Sequence, residues 1–250
     1  MLKFGWIPDT LDKRDYYFKV VYPVDLPGKF DLMELQPSIY HQGSLGSCTA
    51  NGIGGLFQYC QKKQGIDDFI PSRLFIYYNE RKMEHTIKID CGAMIRDGIK
   101  VIKKYGACKE TTWPYDVNKF DKKPPVFAYN EGKSNQILKY ERVNQIKYEI
   151  MHRIAIDKFP ITLGISLYES FMSPEVSKTG IVPLPNFNKE KLLGGHCVNL
   201  VGYDFDEATF LMRNSWGIGW GNKGYFTIPM EYILDPDLCA DLWTIQLVED

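Results

Sequence analysis

Four residues in this chain carry side chains that can act together on a carbonyl: Gln42, Cys48, His196 and Asn214. Cys48 lies in QGSLGSCTA (42–50), where small residues crowd a thiol at the apparent start of a helix. His196 lies in LGGHCVNLVGY (193–203), opening a strand-like run behind two glycines. Asn214 lies in RNSWGIGWGNKGYF (213–226). A helix N-terminus and a neighbouring imidazolium both favour a thiolate. The imidazole can return a proton to a leaving amine, and its other nitrogen needs an acceptor such as an amide oxygen. A tetrahedral oxyanion needs donors, here the side-chain amide of Gln42 and the N–H of Cys48. Taken singly, each residue reads more plainly: a packed cysteine, a core histidine, a turn asparagine, a surface glutamine. The four complementary roles are what give the set its weight.

The elements that must position these residues divide along the chain. CTANGIGGLFQYCQKKQ predicts a helix from Ser47, with Ser47 as its cap and Leu56, Phe57 and Cys60 as its apolar stripe. Gly52, Gly54 and Gly55 inside it each cost about 1 kcal/mol against alanine, so they imply close backbone packing. Further helices are predicted over 72–81, over 94–105 with Gly106 as its stop, and over 145–159. Residues 26–40 read as irregular. After residue 160 the runs ITLGISLY, HCVNLVGYDFD, TFLMRNSW and GYFTIP read as short strands. Helices early and strands late predict an α+β chain of two lobes with a site between them.

Composition narrows the function classes. A net charge of −1 leaves no basic excess for phosphates, so no nucleic-acid partner is expected. No apolar run is long enough for a membrane span, and the N-terminal stretch has no signal-like apolar region. Intracellular residence, or packaging inside a viral particle, is the matching expectation. The six cysteines form no zinc-ligand spacing, and no metal or organic cofactor is expected. Their even number invites disulfides, but the chain length and lack of an export signal argue for thiols.

The three blocks around Cys48, His196 and Asn214 resemble the papain-like cysteine peptidases (peptidase C1), over a stretch from about Leu26 to the C-terminus. Gln42 resembles the family's oxyanion-hole glutamine, Cys48 its nucleophile, His196 its proton-transfer partner and Asn214 its orienting amide. Trp216 resembles the ring that shields the asparagine–histidine contact. GACKETTWPYD (106–116) resembles a turn after the third helix of the first lobe. Leu45 stands where many members have a disulfide cysteine, and Thr49 replaces an aromatic. Both departures resemble a bacterial and viral branch, and the stretch before Leu26 reads as too short for a long helical pro-region, so none is expected.

The resemblance implies a papain-like two-lobe fold, with a helical left lobe (mainly 40–130) and an antiparallel β-barrel-like right lobe (mainly 140–235). Together they make a peptidase domain over 26–250, and residues 1–25 are an extended arm that covers the cleft or braces the lobes. It also implies a thiol endopeptidase, monomeric, acting on peptide or protein substrates through a thioester acyl-enzyme. Gly92, Ala93, Met94, Ile95, Cys197 and Trp216 are the expected substrate-binding residues, and the side chain two before the scissile bond is expected to be apolar. The rival readings are a catalytically silent binding protein of the same fold and an exopeptidase or transpeptidase variant.

Overall fold

The computed structural model describes residues 3–249. Helix α1 (Cys48–Gln64) is buried over most of its length. It lies with strands β4 (Leu192–Asp204) and β7 (Cys239–Val248) on one side and helices α2 (Arg73–Met83) and α3 (Ile95–Tyr105) on the other. Burial all round is why the sequence shows no clean stripe there. The internal glycines are what permit it. A Cβ at Gly52 would stand 2.9 Å from Cys197 Sγ and from Thr162 Oγ1, and one at Gly55 would stand 2.6 Å from an Arg213 guanidinium nitrogen.

The predicted helix starts hold for α2, where Ser72 Oγ accepts from the N–H of Phe75 at 3.1 Å, and the stop of α3 falls at Gly106, with φ +69°. Ser47 departs from expectation. It holds the cap position of α1 but makes no side-chain cap bond. Its hydroxyl is taken by the Tyr115 hydroxyl at 2.5 Å. After a short helix α4 (Val126–Gly132), the helix expected over 145–159 is shorter, α5 (Lys147–Ala155); the chain turns beyond it, with Lys158 at φ +57°.

The strands form one antiparallel sheet in the order β2-β7-β3-β4-β5-β6. Its other members are β2 (Ile137–Arg142), β3 (Ile161–Tyr168), β5 (Thr209–Arg213) and β6 (Tyr225–Pro229). Strand β1 (Lys29–Asp31), inside the stretch read as irregular, pairs with the far end of β4. The architecture is α+β, but the barrel expectation is corrected, because the sheet is not closed. The free edge of β6 is met by Ile181 and Val182 rather than by β2. The sheet also extends past residue 235, because β7 lies in its interior between β2 and β3. One core packs between the sheet and α5, and another joins α1, α2 and α3 to β7. Among the described residues no helix is long and apolar enough to cross a membrane. All six cysteines are thiols.

Candidate functional site

Cys48 is the first residue of α1 and is fully buried. His196 comes from β4, which packs against α1, and Asn214 follows directly on β5. The register of β4 with β5 sets Asn199 opposite Arg213. That carries Asn214 back to His196, whose Nε2 meets Asn214 Oδ1 at 2.8 Å. The same Oδ1 accepts the N–H of Ser215 at 2.8 Å. The amide oxygen is thus an acceptor on both counts. Nε2 therefore carries the proton and Nδ1 is left bare. His196 Nδ1 is buried and has no hydrogen-bond partner. The Trp216 ring stacks on the imidazole at 4.7 Å between centroids and 27° between planes.

Gln42 is also fully buried. Its Oε1 accepts from Ser215 Oγ at 2.8 Å and from Trp216 Nε1 at 3.2 Å. With the oxygen so held, the amide nitrogen must point the other way, where it donates to Leu45 O at 2.9 Å and Lys3 O at 3.1 Å. The backbone closes the same junction, with Gln42 N–H on Ser215 O at 2.9 Å and Gly217 N–H on Tyr40 O at 3.0 Å. Ser215 and Tyr115, whose hydroxyl donates to Gln42 O at 2.8 Å, are supports that the sequence reading did not single out. Both sit inside motifs it had quoted, but nothing in a motif says what a hydroxyl will touch.

The expected substrate-binding residues are met by the chain's own N-terminal segment. Gly5 O accepts from Ala93 N at 2.8 Å, and Ile7 N donates to Ala93 O at 3.0 Å. Trp6 N donates to Gly195 O at 3.0 Å, and the segment runs parallel to the residues around Ala93. Only glycine allows this approach. A Cβ on Gly92 would come within 2.0 Å of Gly5 O, and one on Gly164 within 1.9 Å of the Trp6 ring. Met94 is half-buried at the head of α3. Ile95 and Cys197 are fully buried in the cluster that also holds Trp6 and Cys48.

Enclosure decides the ionisation of the pair. Burial pushes the Cys48 thiol up to about 12, against the opposing pull of backbone groups of Cys197, Gly5 and Thr49. Burial pushes His196 down to about 4, with the Asn214 bond opposing. Both are neutral in this structure near pH 7, and no hydrogen bond joins them among the described residues. No cluster of potential metal ligands exists among the described residues either.

A buried ion network ties the N-terminal segment down. Arg96 on α3 engages Asp15 through Nε at 3.0 Å and Nη2 at 2.5 Å. Arg142 on β2 reaches Asp9 at 3.3 Å, Asp15 at 3.4 Å and Asp241 at 2.5 Å. Asp241 also accepts the Trp6 indole N–H at 3.1 Å and the N–H of Asp9 at 2.7 Å. Nothing local in the sequence signals this cluster, since its members lie on four separate segments.

A fully buried thiol heading a helix, with a strand-borne histidine bonded to an asparagine and stacked on a tryptophan, on an α+β scaffold, is the set of groups a thiol hydrolase carries. The comparisons agree. The family model for the papain family cysteine proteases matches residues 26–235, and the chain belongs to that family. It is 43% identical to an uncharacterised peptidase C1-like protein of Acanthamoeba polyphaga mimivirus, covering 99% of this chain and 88% of that protein. It is 34% identical to cathepsin B-like cysteine proteinase 4 of Caenorhabditis elegans, over 48% of this chain and 38% of that one. Among solved structures it is similar to xylellain, a cysteine protease from Xylella fastidiosa, with a TM-score of 0.90, 39% identity, and 98% and 96% of the two chains covered. The chain is a cysteine-type peptidase.

Proposed function

We propose that the protein is an endopeptidase using Cys48 as nucleophile, His196 as proton carrier, Asn214 as the group that orients His196, and Gln42 as an oxyanion donor. The Cys48 thiol proton passes to His196 Nδ1 as the sulfur bonds to the substrate carbonyl carbon, and the oxyanion rests on the Gln42 amide and the Cys48 N–H. The C–N bond breaks as His196 protonates the departing amine. Water then attacks the thioester with His196 as base, and the C–S bond breaks. The observation that carries this reading is the bare, buried Nδ1 of His196, whose Nε2 is committed to Asn214.

Residues 3–9 stand where a substrate would lie, as the inactive, closed arrangement. Three contacts support this: a carbonyl on the Gln42 amide, backbone pairing with Ala93 and Gly195, and an aromatic side chain beside Gly164. The side chain two before the scissile bond would then occupy the place of Trp6, which is apolar and aromatic. Withdrawal of the arm re-exposes Cys48 and His196 to water, and the burial that keeps both neutral is relieved.

A catalytically silent binding protein is the second reading, favoured by the missing Cys48–His196 bond. One experiment separates the two: labelling with an epoxide-type thiol inactivator and mass mapping, on the native chain and on Trp6→Ala. Selective labelling of Cys48, faster in Trp6→Ala and accompanied by peptide hydrolysis, is expected. A folded Trp6→Ala variant with Cys48 unlabelled and no hydrolysis would leave the silent reading standing.

A further inference from the structure

The place held by Trp6 is a slot with an unusual floor. Its sides are glycines: a Cβ on Gly164 would meet the indole at 1.9 Å, and one on Gly195 would meet it at 2.7 Å. Such a slot fits a flat ring. At its end stands a carboxylate, because Asp241 Oδ2 accepts the indole N–H at 3.1 Å. Asp241 is itself 4% exposed, so this acceptor has little water to fall back on. Its other oxygen is held by Arg142 at 2.5 Å.

We propose that Asp241 makes this pocket a reader of hydrogen-bond donors, so that the peptide side chain taken there is an indole in preference to a plain hydrocarbon of similar size. The inference rests on the reading that residues 3–9 stand in the substrate's place. When the arm leaves, Asp241 Oδ2 loses both of its donors, the Trp6 indole and the Asp9 N–H. A phenylalanine or leucine in the slot would bury that oxygen unpaired, and a site built to hydrogen-bond its ligand discriminates strongly against analogues that lack the group. A lysine or arginine would also donate, but it does not fill a slot shaped for a plate. It would also meet Arg142, which already neutralises the carboxylate, with Arg96 on the same network. The favoured occupant is therefore neutral, flat and tipped with an N–H.

The test uses full-length protein carrying Gly5→Ala and Trp6→Ala, with and without Cys48→Ala: a Cβ on residue 5 would stand 1.7 Å from Gly46 O, which dislodges the arm, and the second change keeps its own indole out of the slot. Four peptides differ only two residues before the scissile bond: tryptophan, 1-methyltryptophan, phenylalanine and leucine. With Cys48→Ala, equilibrium binding of the tryptophan peptide is expected to be about tenfold tighter or more than that of the 1-methyl analogue. With Cys48 present, kcat/KM is expected to follow the same order. Asp241→Asn is expected to shrink the difference. The methylated peptide makes the point even if that variant folds poorly, because it changes only the ligand. Equal binding of tryptophan and 1-methyltryptophan, or binding of none of the four, overturns the proposal. Preferential binding without any hydrolysis leaves this pocket assignment standing and removes the catalytic one. Hydrolysis without preference does the reverse.

Discussion

The side-chain amide of Gln42 donates to the carbonyl oxygen of Lys3 at 3.1 Å, while its oxygen is clamped by Ser215 and Trp216. A donor aimed at a carbonyl is what an oxyanion site offers, and here a carbonyl of the chain itself has taken it. Gln42→Ala should lower kcat by about 10²–10³-fold, the usual loss for one oxyanion donor. It also strands the Ser215 hydroxyl and the Trp216 N–H, so stability should fall by about 1–3 kcal/mol. Steady-state kinetics and a denaturant titration read the two effects separately. A kcat within threefold of the native value would remove Gln42 from the mechanism.

Asn214→Ala removes the acceptor for His196 Nε2 and for the Ser215 N–H. The imidazole is then free to carry its proton on either nitrogen and to turn. A fall in kcat of about 10²-fold or more with little change in KM is expected, because a positioned acid–base group supplies about 10²–10⁴-fold. Asn214→Gln, with its longer reach, should not restore the rate. A loss confined to KM would mean that Asn214 acts only on substrate binding.

Arg142 links three carboxylates, Asp9, Asp15 and Asp241, that are at most 6% exposed. Removing a buried partner leaves charges uncompensated and costs about 3–5 kcal/mol. Two of those carboxylates belong to the arm, so Arg142→Ala should loosen it. The alkylation rate of Cys48 is expected to rise at least about tenfold. An unchanged rate in a folded variant would show that this network does not hold the arm.

Acidification should tighten the arm. Asp9 is pushed up from 3.8 to about 6, by burial first and by the Asp241 charge second. It faces Arg96 and Trp243 as well as Arg142 and Asp241. With the carboxyl raised in the docked state, docking takes up a proton. The penalty on the ionised form is present in full above about 6 and is relieved as pH falls toward 3.8. In the proposed mechanism opening would move a proton from Cys48 to His196 without net uptake, so that pair would not offset the trend. Hydrogen-exchange protection at the Trp6 and Ile7 amides, corrected for intrinsic rates, should increase by about tenfold from about pH 7 to about pH 5. Asp9→Asn should flatten the dependence. Protection that declines on acidification would contradict the assignment.

Gly52→Ala sets two effects against each other. Alanine favours the helix by about 1 kcal/mol, but its Cβ would crowd Cys197 Sγ and Thr162 Oγ1 at 2.9 Å, both buried on adjacent strands. Overpacking costs about 1–3 kcal/mol. A net loss is expected, read as a lower denaturant midpoint. A stabilised variant would mean that the strands yield easily.

The candidate site is legible where chemistry resides in residue type. Gln42, Cys48, His196 and Asn214 stand out because a thiol, an imidazole and two amides form a complementary set, and because the glycine–tryptophan run around Asn214 is distinctive. Helix α3 was legible because only one of its faces is buried, so its apolar residues recur at helical spacing. Strand β1 was not, because three residues beside prolines carry no pattern. Ser47 was a sound cap by residue type, but a distant hydroxyl took its side chain.

What the sequence determined by itself is the candidate set of reacting groups, the order of helices before strands, and the glycines that let backbones meet. The tertiary structure decided the rest. Trp6 lies against Gly164 and Gly195, Asp9 against Arg142 and Trp243, and Lys3 against Gln42. These are pairings across long stretches of chain, and each depends on shape and charge that no local window contains. The same holds for ionisation. A cysteine and a histidine can be read from letters, but whether they are a neutral pair or an ion pair depends on how much water reaches them. Here the N-terminal segment packs against Cys48 and bonds Gly195, the neighbour of His196, and burial keeps both side chains neutral.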